Sequence, residues 1–348
     1  MKATTIYGPR DVRLEDQPDP VIQKPTDVVV KVVASCVCGS DLWPYRGDNE
    51  IKEPLLIGHE FVGVVEEVGL QVRSLRTGDF VIAPFKFSDN TCPHCRVGMH
   101  SACSTGGDWG RIDRDGLLVD GGQGEYVRVP LADGTLVSTR ENPDAAMVPS
   151  LLALSDVMGT GWHAAVAANV SEGDTVVVVG DGAVGLCAVL AASRMGAERV
   201  VAMSRHESRQ QLARSFGATD VIAERGEAGE AAVFELTKGV GADAVLECVG
   251  TGESMLTAIA VARPGAMVGY VGVPHGVKLP IGRMFGRNVG VAGGVAPVRQ
   301  YLPALRDDVL SGEIDPGKVF DLELPLDQVA EGYAAMAERR AIKTLLRP

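Results

Sequence analysis

Thr175-Val176-Val177-Val178-Val179-Gly180-Asp181-Gly182-Ala183-Val184-Gly185 is a wholly apolar, β-branched run that ends on glycines spaced G-x-G-x-x-G. A short run of this kind predicts a parallel strand buried on both faces. The glycine spacing alone is common, but directly after a buried strand and at the opening of a helix it predicts a dinucleotide-binding turn. The glycines permit a tight turn and close backbone approach, and the helix N-terminus offers N–H groups to a pyrophosphate. Gly180, Gly182, Ala183, Val184 and Gly185 are therefore cofactor-site candidates. The plainer reading is a strand-to-helix turn with no ligand.

Working outward, the pattern alternates. A helix is predicted over 184–195, a strand over 199–203, a helix over 208–216, and strands near 244–247 and 267–271. That alternation predicts a doubly wound α/β domain. Cys248, Val249, Val271, Gly272 and Val273 end strands at the carboxyl edge, where a cofactor lies in such a sheet. The second strand runs into Met203-Ser204-Arg205-His206, with no carboxylate before Glu207. A carboxylate there would favour NAD, and its absence removes repulsion against a 2′-phosphate. Ser204 can donate a hydrogen bond and Arg205 can pair with the phosphate, so NADP is expected over NAD. The alternative is a solvated Arg205 and acceptance of either cofactor.

Before residue 150 the chain reads as β-rich. Strands are expected over 28–33, 61–68, 80–83 and 126–129, with 106–124 as a long glycine-rich loop. Helices suit 151–154 and 164–168. From about 298 the pattern returns to short mixed elements, then a helix over 329–338 and a strand over 341–346. A chain of 348 residues suggests about two domains. The net charge of -12 argues against nucleic-acid or anionic-membrane partners. No apolar run approaches the roughly 18 residues of a membrane span, and Met1-Lys2-Ala3-Thr4-Thr5-Ile6 has no apolar core of a secretory signal. Seven cysteines without an export signal favour metal binding over disulfides, and a reducing cytoplasm is expected.

Two groups of residues carry metal chemistry. Cys38-Gly39-Ser40-Asp41 and Gly58-His59-Glu60-Phe61-Val62-Gly63 offer a thiolate and an imidazole, and Asp156 offers a carboxylate. Three firm ligands leave one position of a zinc open, which makes such a site catalytic. Taken singly, His59 could be a satisfied buried histidine and Cys38 a small apolar core residue. The second group is the thiol cluster Cys92-Pro93-His94-Cys95 and Cys103.

Together these stretches resemble the zinc-containing alcohol dehydrogenases of the medium-chain dehydrogenase/reductase superfamily. The likeness rests on Gly58-His59-Glu60-x-x-Gly63 followed by Gly69 and Val72, on Cys38-Gly39-Ser40-Asp41, and on Leu154-Ser155-Asp156-Val157-Met158-Gly159-Thr160-Gly161. The glycine motif and the terminal Ala341-Ile342-Lys343 extend it through nearly the whole chain. The resemblance implies a GroES-like β-rich catalytic domain over 1–156 and 298–348, and a Rossmann domain over 157–297. It implies a catalytic zinc on Cys38, His59 and Asp156, with Glu60 binding the metal or acting from behind the ligands. Thr160 and Lys343 become candidate cofactor contacts. Zinc is expected to act as a Lewis acid on an alcohol or carbonyl oxygen while hydride passes to or from NADP. Ser40 is a candidate proton relay; where many relatives carry a further relay histidine this chain has Trp43.

The family's structural-zinc lobe has four cysteines spaced C-x2-C-x2-C-x7-C. Here the lobe near 89–103 keeps Cys92, Cys95 and Cys103, with Asp89 at the first position. Asp-Cys₃ ligation is feasible; completion by His94 or His100, or a lobe of free thiols, stays open. Trp43, Trp109 and Met284 are candidate walls of a substrate pocket, suited to an uncharged alcohol, ketone or aldehyde. The apolar run 289–292 corresponds to an edge strand that pairs subunits in relatives, so a homodimer or homotetramer is expected. The alternatives are a polyol or sugar dehydrogenase, a zinc-free quinone or enone reductase, and a non-catalytic NADPH-binding protein.

Overall fold

In a computed structural model that describes residues 1–348, the strands form four sheets, the two largest of seven and six strands. The chain divides into one unit of Met1–Asp156 with Pro297–Pro348 and a second of Val157–Ala296.

The first unit is organised around the strand Val28–Cys36, nearly every residue of which is buried. It pairs antiparallel with Phe61–Val68, with Tyr126–Val129 and with Thr344–Arg347. Register shifts at Val29/Val30 and Val32/Ala34 mark irregularities of the kind that bend a strand. Phe80–Ala83 and Val137–Ser138 extend the sheet on one side, and Leu322–Pro325 closes it on the other. Its core holds Val30, Phe61, Val65, Phe87 and Trp109. Gly63 has a packing reason: a Cβ there would stand 2.2 Å from the carbonyl of Lys31 on the neighbouring strand. A second apolar cluster joins the helix Val329–Ala337, through Tyr333, to the hairpin strands Lys2–Gly8 and Asp11–Asp16.

The second unit is a six-stranded parallel sheet in the order Asp220–Ile222, Arg199–Met203, Thr175–Val179, Ala242–Glu247, Ala262–Tyr270, Gly290–Gly293. The chain winds outward from Thr175–Val179 in one direction, then returns and winds outward in the other. The switch point therefore lies between Thr175–Val179 and Ala242–Glu247, where ligands bind at the carboxyl ends of the strands. The helix Val157–Ala167 packs on Ala183–Arg194 so closely that a Cβ on Gly161 would lie 2.6 Å from the Ala188 nitrogen.

The α/β class and the paired β-rich and doubly wound architecture are as expected. The region after 298 has the expected short elements only from Pro316 onward. It opens with the helix Val298–Leu310, which buries Val298, Leu302, Leu305 and Val309 at helical spacing. Pro303 lies inside it and reads as a breaker; a proline there removes one intrahelical hydrogen bond, and the apolar stripe outweighs that loss. The last strand is shorter than expected, Thr344–Arg347, and the N–H groups of Ile342 and Lys343 donate to the Asp321 carboxylate instead of to a strand.

Candidate metal centre and dinucleotide site

Strand pairing gathers the first donor set. Cys38 lies just beyond the end of Val28–Cys36, and His59 and Glu60 lie just before Phe61–Val68. Ser35 pairs with Phe61 in that ladder, so the two segments meet at one end of the sheet. Asp156 arrives on a segment tied to the same place, where the Ser155 carbonyl accepts from Phe85 N–H and the Ser155 hydroxyl donates to the Phe61 carbonyl. One donor atom from each of Cys38, His59, Glu60 and Asp156 lies within 4.8 Å of all the others. The Cys38 Sγ to Asp156 Oδ2 distance is 3.7 Å, and His59 Nε2 to Asp156 Oδ2 is 3.5 Å. Donors about 2.0–2.3 Å from a tetrahedral zinc stand roughly 3.3–3.8 Å apart, so these separations fit that ion.

The imidazole is aimed by a residue that the sequence did not single out. Asp41 is buried; its Oδ1 lies 3.4 Å from His59 Nδ1, and its Oδ2 accepts from Cys38 N–H at 2.9 Å. Holding Nδ1 leaves Nε2 to face the other donors. Gln123 adds a contact to Asp41, and Tyr333 donates to Gln123 at 3.1 Å. Burial would lower the His59 pKa, but Asp41, Cys38 and Asp156 hold it well above the usual histidine value. Burial raises the Cys38 thiol, with His59 opposing. Anionic groups thus converge on a buried point where a cation would replace their protons.

Lys343 differs from expectation. As a cofactor contact it would need an accessible ammonium group, yet its side chain is 1% exposed. Its Nζ donates to Glu60 Oε1 at 2.7 Å and to the Val37 carbonyl at 3.2 Å. The pairing follows from register, since Leu345 sits opposite Cys36 and Lys343, two residues before it, reaches Glu60. Glu60 keeps a second oxygen, Oε2, buried with no hydrogen-bond partner. An orphaned carboxylate oxygen within the donor set is itself consistent with a cation there.

Ser40 is exposed, and the turn that holds it is closed by the Asp41 carboxylate rather than by its own hydroxyl. Trp43 is half-buried in the helix Leu42–Arg46. Trp109 is not a pocket wall but core: its rings stack edge-on against Phe61 and Phe87, and its indole N–H donates to the Pro84 carbonyl. Met284 is likewise buried in the core of the second unit with Val289 and Ala258. Neither position carried a sequence signal separating core from pocket.

The second donor set is local. One donor atom from each of Asp89, Cys92, Cys95 and Cys103 lies within 4.8 Å of the rest, and the Cys92 and Cys103 sulfurs are 3.9 Å apart. That is a tetrahedral edge for thiolates and far beyond a disulfide bond of about 2.05 Å. None of the seven cysteines forms a disulfide. The Asp89 carboxylate accepts from the N–H groups of Thr91 and Cys92 and from the Thr105 hydroxyl, which carry its pKa below the ordinary carboxylate range despite partial burial. The Ser104 N–H, with help from Cys95, lowers the Cys92 thiol to about 6. His100 is excluded as a ligand because both ring nitrogens are engaged, with Asn90 Oδ1 and the Gly98 carbonyl. His94 is exposed and outside the donor set.

In the second unit the glycine turn has the shape that a phosphate needs. A Cβ on Gly185 would lie 2.1 Å from the Gly180 carbonyl, whereas one on Gly182 would meet nothing within 4 Å. Gly182 caps the helix Ala183–Arg194 with no side-chain hydrogen bond, so the first N–H groups stay available. The turn and this helix hold Gly180, Gly182, Ala183, Val184 and Gly185 together, and Thr160 is buried on the helix packed beside it. Cys248, Val249, Val271, Gly272 and Val273 follow the strands Ala242–Glu247 and Ala262–Tyr270. Buried Glu247 fixes these loops, its Oε1 accepting from Val249 and Gly250 N–H and its carbonyl from Val271 N–H. Ser204 does not present a free hydroxyl, because its Oγ donates to Asp181 Oδ2 at 2.9 Å. Arg205 is exposed, and no carboxylate pairs with its guanidinium.

Comparison with known proteins agrees with this chemistry. Residues 24–140 match the alcohol dehydrogenase GroES-like domain family, and residues 183–308 match the zinc-binding dehydrogenase family. A probable zinc-binding alcohol dehydrogenase of Mycobacterium tuberculosis is 37% identical over 352 residues, covering 100% of this chain and 89% of that protein. A zinc-type alcohol dehydrogenase-like protein of Bacillus subtilis is 35% identical, with 100% of both chains covered. Among solved structures, an alcohol dehydrogenase from Thermus sp. ATN1 superimposes with a TM-score of 0.91 at 31% identity, covering 100% of this chain and 99% of that one.

Proposed function

Because this chain belongs to the zinc-type alcohol dehydrogenases, we propose that it interconverts an uncharged alcohol and its ketone or aldehyde by hydride exchange with NADP(H). The family implies Zn²⁺ and a nicotinamide cofactor. When bound, zinc supplies Lewis-acid polarisation of the substrate oxygen and the nicotinamide supplies or accepts the hydride. The observation that carries this reading is the convergence of Cys38, His59 and Asp156 with Asp41 behind the imidazole. Cys38, His59 and Asp156 would hold the metal. Glu60, tied to Lys343 through one oxygen and unpartnered at the other, acts as a reserve donor beside them.

The hydroxyl proton of the substrate has to leave the reacting centre. Ser40, exposed and not consumed by its own turn, is the relay group. Half-buried Trp43 offers one apolar wall. The same full donor set disfavours a zinc-free reductase. NADP is preferred because Arg205 offers an exposed guanidinium at the end of the second strand, where no carboxylate follows directly. The Asp89, Cys92, Cys95 and Cys103 lobe takes a second, structural zinc.

The chain functions as a homodimer or homotetramer. Gly290–Gly293 pairs on one side only, and exposed Ile281 and Phe285 stand on the preceding helix. An open edge beside exposed apolar side chains calls for a partner. No helix is long and apolar enough to cross a membrane.

His59→Ala tests the reading. Carbonyl reduction should fall by roughly 10³-fold or more, while NADPH still binds in a fluorescence titration. Turnover retained in His59→Ala would refute the zinc mechanism.

A further inference from the structure

The strand end that lacks a carboxylate in the sequence has one in space. Asp181 is the residue between the first two glycines of the turn, 23 positions before Ser204. Its Oδ2 accepts from the Ser204 hydroxyl at 2.9 Å and from the Arg205 N–H at 3.3 Å. Its Oδ1 lies 3.4 Å from Arg209 Nη1, and the same guanidinium reaches the Asp181 carbonyl at 3.2 Å. The side chains of Asp181 and Arg209 are only 12% and 14% exposed. The carboxylate is therefore held at the tip of the second strand by three donors and cannot drift into solvent as a surface acid would.

In a doubly wound fold the pyrophosphate lies on the glycine turn, and the adenosine ribose meets the end of the second strand. Asp181 touches both places. We propose that Asp181 is the specificity-determining carboxylate for the ribose, supplied by the glycine turn instead of by the strand. It accepts from the 2′-hydroxyl of NAD(H) and repels a 2′-phosphate, while Arg205 and Arg209 attract the phosphate. Cofactor choice is then a balance of one carboxylate against two guanidinium groups. The Asp181–Arg209 pair weakens the preference for NADP that Arg205 creates, so the chain accepts both cofactors. This assignment rests on the dinucleotide reading above and adds the residue that sets the ratio.

The test is direct binding of NADH and NADPH by nicotinamide fluorescence, with turnover as a second readout. Asp181→Asn keeps the shape and an acceptor for Ser204 but removes the charge. NADPH should tighten about tenfold and NADH should weaken by a similar factor. Asp181→Ser is the second variant, should the amide disturb the turn, and should shift the ratio in the same direction. Equal changes for the two cofactors, or an unchanged ratio in both variants, would overturn the assignment. Arg205→Ala separates this from the NADP reading. If Arg205→Ala leaves the ratio unchanged while Asp181→Asn raises it, the phosphate role of Arg205 fails and that of Asp181 stands.

Discussion

The two donor clusters of this chain are built in opposite ways. The lobe takes Asp89, Cys92, Cys95 and Cys103 from a single stretch, with Asp89 and Cys103 only 14 positions apart. Its acid is fixed by neighbouring N–H and hydroxyl groups. The other cluster draws Cys38 and Asp156 from 118 positions apart and leans on Lys343, 283 positions beyond Glu60. A local cluster can form once its loop closes, because closing a short loop costs little entropy. The distant cluster exists only when the sheet is in register. In the lobe, backbone N–H groups donate to Asp89, Cys92 and Cys103, whereas the distant site keeps an unpartnered carboxylate oxygen.

That contrast can be broken most sharply at Lys343. Removing one member of a buried ion pair leaves the other charged and alone, at a cost of about 3–5 kcal/mol. Lys343→Met should lower the stability of the first unit by that order in denaturant unfolding, and adding Glu60→Gln should restore much of it. Additive losses in the double variant would show that the pair is not coupled. A smaller effect is expected at Asp41, which orients an imidazole without reaching the donor centre itself. Asp41→Ala should weaken zinc retention or turnover about 10–100-fold with little change in melting temperature. A large stability loss would instead make Asp41 a structural residue of the turn. The smallest effect belongs to the lobe. Asp89→Ala keeps three thiolates and loses the hydrogen bonds of one charged group, a destabilisation of about 1–3 kcal/mol. It should lower the melting temperature and the zinc content, and leave cofactor binding intact. No change in either would mean that the lobe is held without that carboxylate.

How legible each region was follows the same division. Thr175–Val179 and Arg199–Met203 were readable because, after its first residue, each strand is apolar and buried on both faces. Cys38, His59 and Asp156 were expected together through the family resemblance, and Asp89 through its place in the lobe's pattern; the fold brings the donor atoms of each group within 4.8 Å. Asp41 and Asp181 were not singled out, although both lie inside quoted motifs, because their roles depend on which side chain the fold sets opposite them. Lys343 was noticed, but its partner was not, since a buried ammonium group is identified only by the register that brings Glu60 to it. Trp109 and Met284 show the converse. A large apolar side chain gives the same sequence signal in a core as on a pocket wall. The helix Val298–Leu310 was not expected from the sequence, although its buried residues Val298, Leu302, Leu305 and Val309 stand at helical spacing.

The most direct measurement of the central claim is zinc per chain, by elemental analysis of freshly purified protein and of its Cys95→Ser and His59→Ala variants. The account predicts about two zinc ions in the parent and about one in each variant. It also predicts turnover lost in His59→Ala and cofactor binding kept in both. About one zinc or fewer per parent chain under fully metallating conditions would contradict the two-site account. A value near zero would remove the metal from the chemistry altogether.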